Sequence, residues 1–371
     1  MNNKRIPVAV PNFLGNEKKY VDDCMDTTWI SSNGKYIKEF EDSFAKFLGS
    51  RNALSCSNGT VALHLPLIAL GAGPGDEVLV PSFTYIATAN AVAYCGAKPV
   101  LVDCLPDTWN IDPEDMRRKI TSKTKGVIPV HLYGNPCDMD AVMAVAKEHG
   151  LFVVEDAAEC HGATYKGRCA GTFGDMGTFS FFGNKIITTG EGGMIITDND
   201  ELAQKMRQLK GQGMDPNRRY WFTERGYNYR MTNIEAAIGL AQLERIEEHI
   251  ANRRKVAGWY QEELAGMQDY LSFQAVTPHA ESVWWMFSIL LTEKSSVSRD
   301  ALMEKLDGDG IETRPLFYPM HVMPVYADAA AACPVSEQVA ASGMNLPTHA
   351  MLTREDVRYI CGCIKKHIGA I

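Results

Sequence analysis

The chain has 371 residues, of which 46% are apolar and 22% charged, and a net charge of −8 from 37 basic and 45 acidic side chains. That length exceeds one small core and fits a large domain plus a smaller one. The composition is that of an ordinary globular enzyme, and an acidic chain repels a phosphate backbone, which disfavours nucleic-acid binding as the main role. Ten cysteines are scattered without a CxxC pair, the pattern of free buried thiols in a reducing compartment. The opening Met1–Phe13 lacks the apolar run of a signal peptide, and no segment has the ~20 uninterrupted apolar residues of a membrane helix. The expectation is a cytoplasmic protein.

Apolar runs without alternation then alternate with helical patterns. Val78–Pro81 predicts a strand and Thr84–Tyr94 a helix; Pro99–Asp103 a strand and Pro113–Ile120 a helix opened by Asp112. Gly126–His131, Leu151–Glu155, Thr178–Phe181 and Gly193–Thr197 predict further strands, with a helix over Met139–His149. Such runs suit strands buried on both faces, hence an α/β fold with a mostly parallel sheet flanked by helices. One long helix is expected from about Asn233 to Leu264. The remainder predicts a strand over Trp284–Leu290 and two amphipathic helices. The division is a large α/β domain over 1–250 and a small C-terminal α+β domain over 251–371.

Two segments carry the chemistry. Asp156 ends a buried strand, the edge where open α/β sheets collect ligands. A carboxylate there can pair with a pyridinium nitrogen and keep it charged, although a cap or ion pair explains it equally well. Further on, Phe179-Ser180-Phe181-Phe182-Gly183-Asn184 leads into Lys185. A lone lysine is normally a surface residue. One delivered at a strand end, between aromatics and the glycine-rich Thr188–Gly193, is placed to hold pyridoxal phosphate as a Schiff base. Ser180 is placed to donate to the cofactor phosphate. Ser57-Asn58-Gly59-Thr60 precedes an amphipathic helix whose N-terminus suits a phosphate, or is simply capped by Asn58. Tyr85 follows another strand end and can stack on a ring or pack in the core. Asn228 and Arg230 stand before the long helix, where Thr232 can act as a cap.

These motifs, in this order, resemble the DegT/DnrJ family of nucleotide-sugar aminotransferases. The resemblance rests on Glu155-Asp156-Ala157, then 27 residues, then Lys185-Ile186-Ile187-Thr188-Thr189-Gly190-Glu191-Gly192-Gly193. Ser57–Thr60, Gly226–Asn233, Thr28–Gly34, Gly310–Pro315 and Pro319–His321 extend it over nearly the whole chain. It implies a fold-type-I aminotransferase with pyridoxal 5'-phosphate as cofactor and pyridoxamine phosphate between its two half-reactions. By the same resemblance the protein is a homodimer with shared active sites, possibly a tetramer. Lys185 then carries the cofactor and Asp156 pairs with its ring nitrogen. Gly59, Thr60 and Ser180 hold the phosphate together with Asn228 of a second copy, and Tyr85 stacks on the ring. Glu159 stands near the ring hydroxyl, where many members have glutamine.

Ser180–Lys185 and Gly211–Trp221 resemble the members that use L-glutamate and a GDP-linked keto sugar. Trp29, Ser31 and Ser32 are candidates for the site entrance, Arg218, Arg219 and Tyr220 for the pyrophosphate, and His321 for the sugar. A UDP- or dTDP-linked keto sugar is the alternative substrate. Lys185 argues against a sister dehydratase, and the intact Lys185/Asp156 pair against a regulatory protein on the same fold. No metal is expected, since the nine histidines show neither HxxxH nor HxH spacing.

Overall fold

The computed structural model describes residues 5–329 and 332–369. Helices α1 (Glu17–Asp26) and α2 (Lys35–Leu48) precede strand β1 (Asn52–Cys56) and helix α3 (Gly59–Ala69). Then β2 (Glu77–Pro81), α4 (Ala87–Tyr94), β3 (Lys98–Val102), α5 (Pro113–Lys119), β4 (Thr124–Val127), α6 (Met139–His149) and β5 (Phe152–Asp156) alternate. The short β6 (Thr164–Tyr165) and β7 (Arg168–Cys169) lead to β8 (Met176–Ser180), β9 (Gly193–Thr197), α7 (Asp200–Lys210), α8 (Asn233–Leu243) and α9 (Ile246–Glu263). The rest comprises β10 (Leu271–Phe273), β11 (Ala280–Glu281), β12 (Phe287–Leu291), α10 (Arg299–Gly308), β13 (Arg314–Pro315), α11 (Pro334–Ser342), β14 (Gly343–Leu346) and α12 (Arg354–His367).

The main sheet runs β1-β9-β8-β5-β4-β2-β3. It has the expected mostly parallel α/β architecture: β8, β5, β4, β2 and β3 are parallel, and β9 is antiparallel to both of its neighbours. Helices cover its strands, and Val78, Leu79 and Val80 are fully buried. Each such side chain contributes about 1.5–3 kcal/mol, which is why these strands read as unbroken apolar runs. A second sheet, β10-β12-β14-β13, is antiparallel throughout and packs with α9, α10 and α12 around a core of its own. Asp103, just past β3, ties the two together. Its carboxylate accepts the Val335 and Ser336 N–H groups at the start of α11 (3.0 and 2.8 Å).

Several elements differ from expectation for identifiable reasons. The strand read over Gly126–His131 stops at Val127, because Pro129 has no N–H to give a ladder; residues 130–131 follow the end of β5 instead. The helix expected from Thr84 begins at Ala87, since Ser82 still bonds to Val102 across the sheet edge. The long helix is two, broken at Arg245 with φ −116° and ψ 18°. Gln242, buried at the end of α8, is held by Asn12 and Glu17 instead of facing a continuing helix. The strand read from Trp284 begins at Phe287, because Val283 and Met286 spend their N–H groups on Gly134 and Tyr133. Among the described residues, the C-terminal part has three α-helices after α9 where two were expected. Helix α3 is buried on nearly all sides and is not amphipathic. Among the described residues, no helix is long and apolar enough to cross a membrane.

Candidate active site

Strand β5 ends in two acids that face opposite ways. Glu155 is completely buried and accepts the N–H groups of Gly171, Phe173 and Gly174 and the Nε2–H of His131 (3.0 Å). His131 in turn accepts the Cys137 N–H at Nδ1. This knot fixes the end of β5 and the loop before β8. Glu155→Gln would aim an amide N–H2 at backbone donors, and a loss of about 2–3 kcal/mol is expected in a urea unfolding curve. A loss under about 0.5 kcal/mol would show that the knot contributes little.

Asp156 points into the cleft. Its Oδ2 accepts the Thr88 hydroxyl (2.9 Å) and its Oδ1 the Ala158 N–H (3.2 Å). Burial pushes this carboxyl above the ordinary aspartate range, against the lowering effects of Thr88, Ala158 and Lys185. A cation beside it would relieve that penalty.

Lys185 leaves the turn after β8, its N–H bonded to the Phe182 carbonyl (2.9 Å). The strand behind it is anchored by aromatics: Phe179 lies 5.0 Å from Phe44 and Phe181 5.1 Å from Phe40. The Lys185 Nζ stands 3.4 Å from Glu159 Oε1 and 3.9 Å from the centre of the Trp285 ring. Glu159 also accepts the Tyr133 N–H (2.8 Å), and burial raises its carboxyl although Lys185 opposes this. Two further contacts hold the turn. The Trp285 indole donates to the Asn184 carbonyl (2.8 Å). Arg253 of α9, buried and with no carboxylate partner among the described residues, donates to the carbonyls of Trp285 (3.0 Å), Thr348 (2.6 Å) and Lys185 (3.4 Å). Burial lowers the Arg253 guanidinium to about 10.

Lys185, Asp156, Glu159, Gly59, Thr60, Tyr85 and Ser180 line one cleft of about 620 Å³. The Gly59–Thr60 end is the first turn of α3, capped by Asn58, whose side chain accepts the Val61 N–H (3.0 Å). A Cβ on Gly59 would lie 2.7 Å from the Ser180 Cβ, so only glycine lets the helix start sit against that serine. Gly193 is equally constrained, 2.4 Å from the Asn58 carbonyl oxygen at its would-be Cβ. Free N–H groups at the helix start, a hydroxyl beside them, a buried carboxylate and an amine form a donor set that suits pyridoxal phosphate. Tyr85 is 59% exposed at the mouth, its ring 6.0 Å from Phe317.

The other candidates lie elsewhere. Asn228 is exposed, bonded to Arg230 (3.0 Å), and outside its own chain's cleft. Trp29 borders a separate hollow beside α2, where its carbonyl accepts the Asn233 side chain and the Ser31 carbonyl the Asn233 N–H; Ser32 adjoins it in the same loop. Arg218 and Arg219 stack on Trp221 and Tyr220 in an exposed loop. His321 is buried between Ser82 (2.7 Å) and Glu337 (3.1 Å), both ring nitrogens engaged, away from the cleft. Thr88, Trp285, Arg253 and Tyr133 escaped the sequence reading. Only Thr88 left a signal, as a hydroxyl seven residues beyond a strand end.

The chain is similar to known proteins along almost its whole length. It is 57% identical over 354 residues to the GDP-perosamine synthase of Caulobacter vibrioides, covering 95% of each chain. It is 48% identical to the GDP-perosamine synthase of Escherichia coli O157:H7, covering 98% of each. The PLP form of the putative sugar aminotransferase Spr1654 from Streptococcus pneumoniae superposes with a TM-score of 0.93 at 28% identity, over 99% of both chains. With residues 13–365 matching its pattern, the chain belongs to the DegT/DnrJ/EryC1/StrS aminotransferase family.

Proposed function

We propose that this protein is a pyridoxal-phosphate-dependent aminotransferase that moves the amino group of L-glutamate to the 4-keto group of GDP-4-keto-6-deoxymannose. The products are 2-oxoglutarate and GDP-perosamine. The observation that carries the chemistry is the pair in one cleft: the Lys185 amine and the buried Asp156 carboxylate, with the helix start at Gly59 beside them. The sugar is supported by the 57% and 48% identities to GDP-perosamine synthases.

When bound, the cofactor supplies the electron sink for breaking a C–H bond. Asp156 holds a proton on the ring nitrogen through opposite charge. Gly59 and Thr60 give their N–H groups, and Ser180 its hydroxyl, to the phosphate. Asn228 reaches that phosphate in a second copy of the chain, which makes a homodimer the working unit. Lys185 Nζ takes the proton from the donor's α-carbon and delivers it to the carbon that receives the amine. Glu159 accepts from that amine and keeps it over the Trp285 face. In the second half the transfers at Nζ run in reverse, with the sugar C4 receiving the proton. Trp29, Ser31 and Ser32 line the cleft entrance, and Arg218, Arg219 and Tyr220 meet the pyrophosphate across the dimer interface.

The visible spectrum tests both halves. L-Glutamate should bleach the yellow protein, and GDP-4-keto-6-deoxymannose should restore the colour where UDP- and dTDP-linked keto sugars do not. Bleaching without recovery removes the GDP sugar, and a protein that stays colourless with added pyridoxal phosphate removes the cofactor.

A further inference from the structure

Five charged side chains line the cleft among the described residues: Asp156, Glu159, Glu191, Lys185 and Arg314. Three are acidic, yet both proposed substrates are anionic, one a dicarboxylate and the other a nucleoside diphosphate. Lys185 is committed, facing Glu159 and needed for proton transfer. That leaves Arg314, in the Gly310–Pro315 segment, to which no role has been given.

Arg314 forms one long ion pair, with Glu312, that leaves most of its donors open. Strand β13 pairs it with Asn345 of β14, whose Oδ1 accepts the Ser288 hydroxyl (2.6 Å). One guanidinium nitrogen donates to Glu312 at a long 3.4 Å, and Glu312 is itself turned toward the Val8 N–H (3.2 Å). The side chain stays 45% exposed, with Glu312 its one hydrogen-bond partner among the described residues. The remaining N–H groups of its planar fork match a carboxylate or a phosphate in geometry.

We infer that Arg314 is an anion-binding residue of the cleft, placed on its C-terminal wall to take a charged oxygen of the incoming substrate. The inference rests on the aminotransferase reading and names a residue that selects its substrates. A guanidinium there gives a cleft with three carboxylates one cation whose fork is open to an anion.

Two constants test it: the L-glutamate concentration that half-bleaches the loaded protein, and the Kd of GDP for the cofactor-free full chain by calorimetry. Arg314→Gln is expected to raise at least one of them about 30-fold, with the unfolding midpoint unchanged. A rise for L-glutamate alone places the donor's carboxylate on Arg314. A rise for GDP alone places the pyrophosphate there, and a rise in both has one guanidinium serving each substrate in turn. Arg314→Lys keeps the charge and should fall between wild type and the glutamine variant. Constants that move less than twofold in Arg314→Gln overturn the site, as does a lysine variant as poor as glutamine. A wild-type protein that binds GDP but is not bleached by glutamate removes the aminotransferase reading, and the GDP arm then decides Arg314 alone.

Discussion

Replacing Lys185 with alanine is expected to lower turnover by about 10⁴-fold, the upper end of what a positioned proton-transfer group contributes, and to leave the protein folded with pyridoxal phosphate still bound. The lysine is the only amine lining the cleft among the described residues, and the other cation there, Arg314, is a guanidinium with donors and no acceptor. Water offers a poor substitute: Nζ sits between Glu159 and the face of Trp285, in a place that is mostly closed to solvent. Stability should fall in the cofactor-free protein, because alanine leaves the Glu159 carboxylate buried without its cation and removes the contact with the Trp285 face. Single-turnover spectra with L-glutamate make the measurement. Repeated turnover in the alanine variant, at more than about a hundredth of the wild-type rate, would take proton transfer away from Lys185.

Asp156→Asn should have two effects of opposite sign. Turnover is expected to fall about 10²–10³-fold, the usual loss when a preorganised charge is removed from a water-poor site. The cofactor-free protein, in contrast, should be as stable as wild type or more so at pH 7. Burial raises the folded-state pKa of Asp156 above its unfolded value, so the native state binds the proton more tightly than the unfolded chain. That contribution is fully present below the unfolded aspartate range and is lost as pH rises through the folded value. At neutral pH the carboxylate is therefore a destabilising charge, which asparagine removes while keeping an acceptor for Thr88. A cationic ring nitrogen cancels the same penalty, so the rise in unfolding midpoint on adding pyridoxal phosphate should be larger in wild type than in the variant. Equal rises in the two proteins would mean that Asp156 does not pair with the ring.

How far this was legible in the sequence depended on the range of the interactions. Met139–His149 and Gly193–Thr197 have the bounds their patterns predict, because a cap at Asp138 and Gly150 and a run of buried apolar residues are local signals. The strand end at Asp156 and the aromatic approach to Lys185 were visible for the same reason. Trp285 and Arg253 were invisible as site residues. They meet the Asn184–Lys185 turn from 101 and 68 positions away, and no spacing rule reaches that far. His321 carried a motif that pointed to the sugar, yet its ring bonds Ser82 across 239 positions and turns inward. Which way that segment faces is set by the packing and is not written in its pattern.

Arg253 also bears on how such proteins can be recombined. Its guanidinium clamps carbonyls of residues 185, 285 and 348, which belong to three segments far apart in the chain. The break between α8 and α9 is an inviting crossover point for a chimera with a relative of different sugar preference. A crossover there keeps Arg253, Trp285 and Thr348 from one parent and takes the lysine turn from the other. The graft works only where both parents present the same carbonyl to that arginine, so compatible parents can be chosen by superposing residues 184–185 before any gene is built.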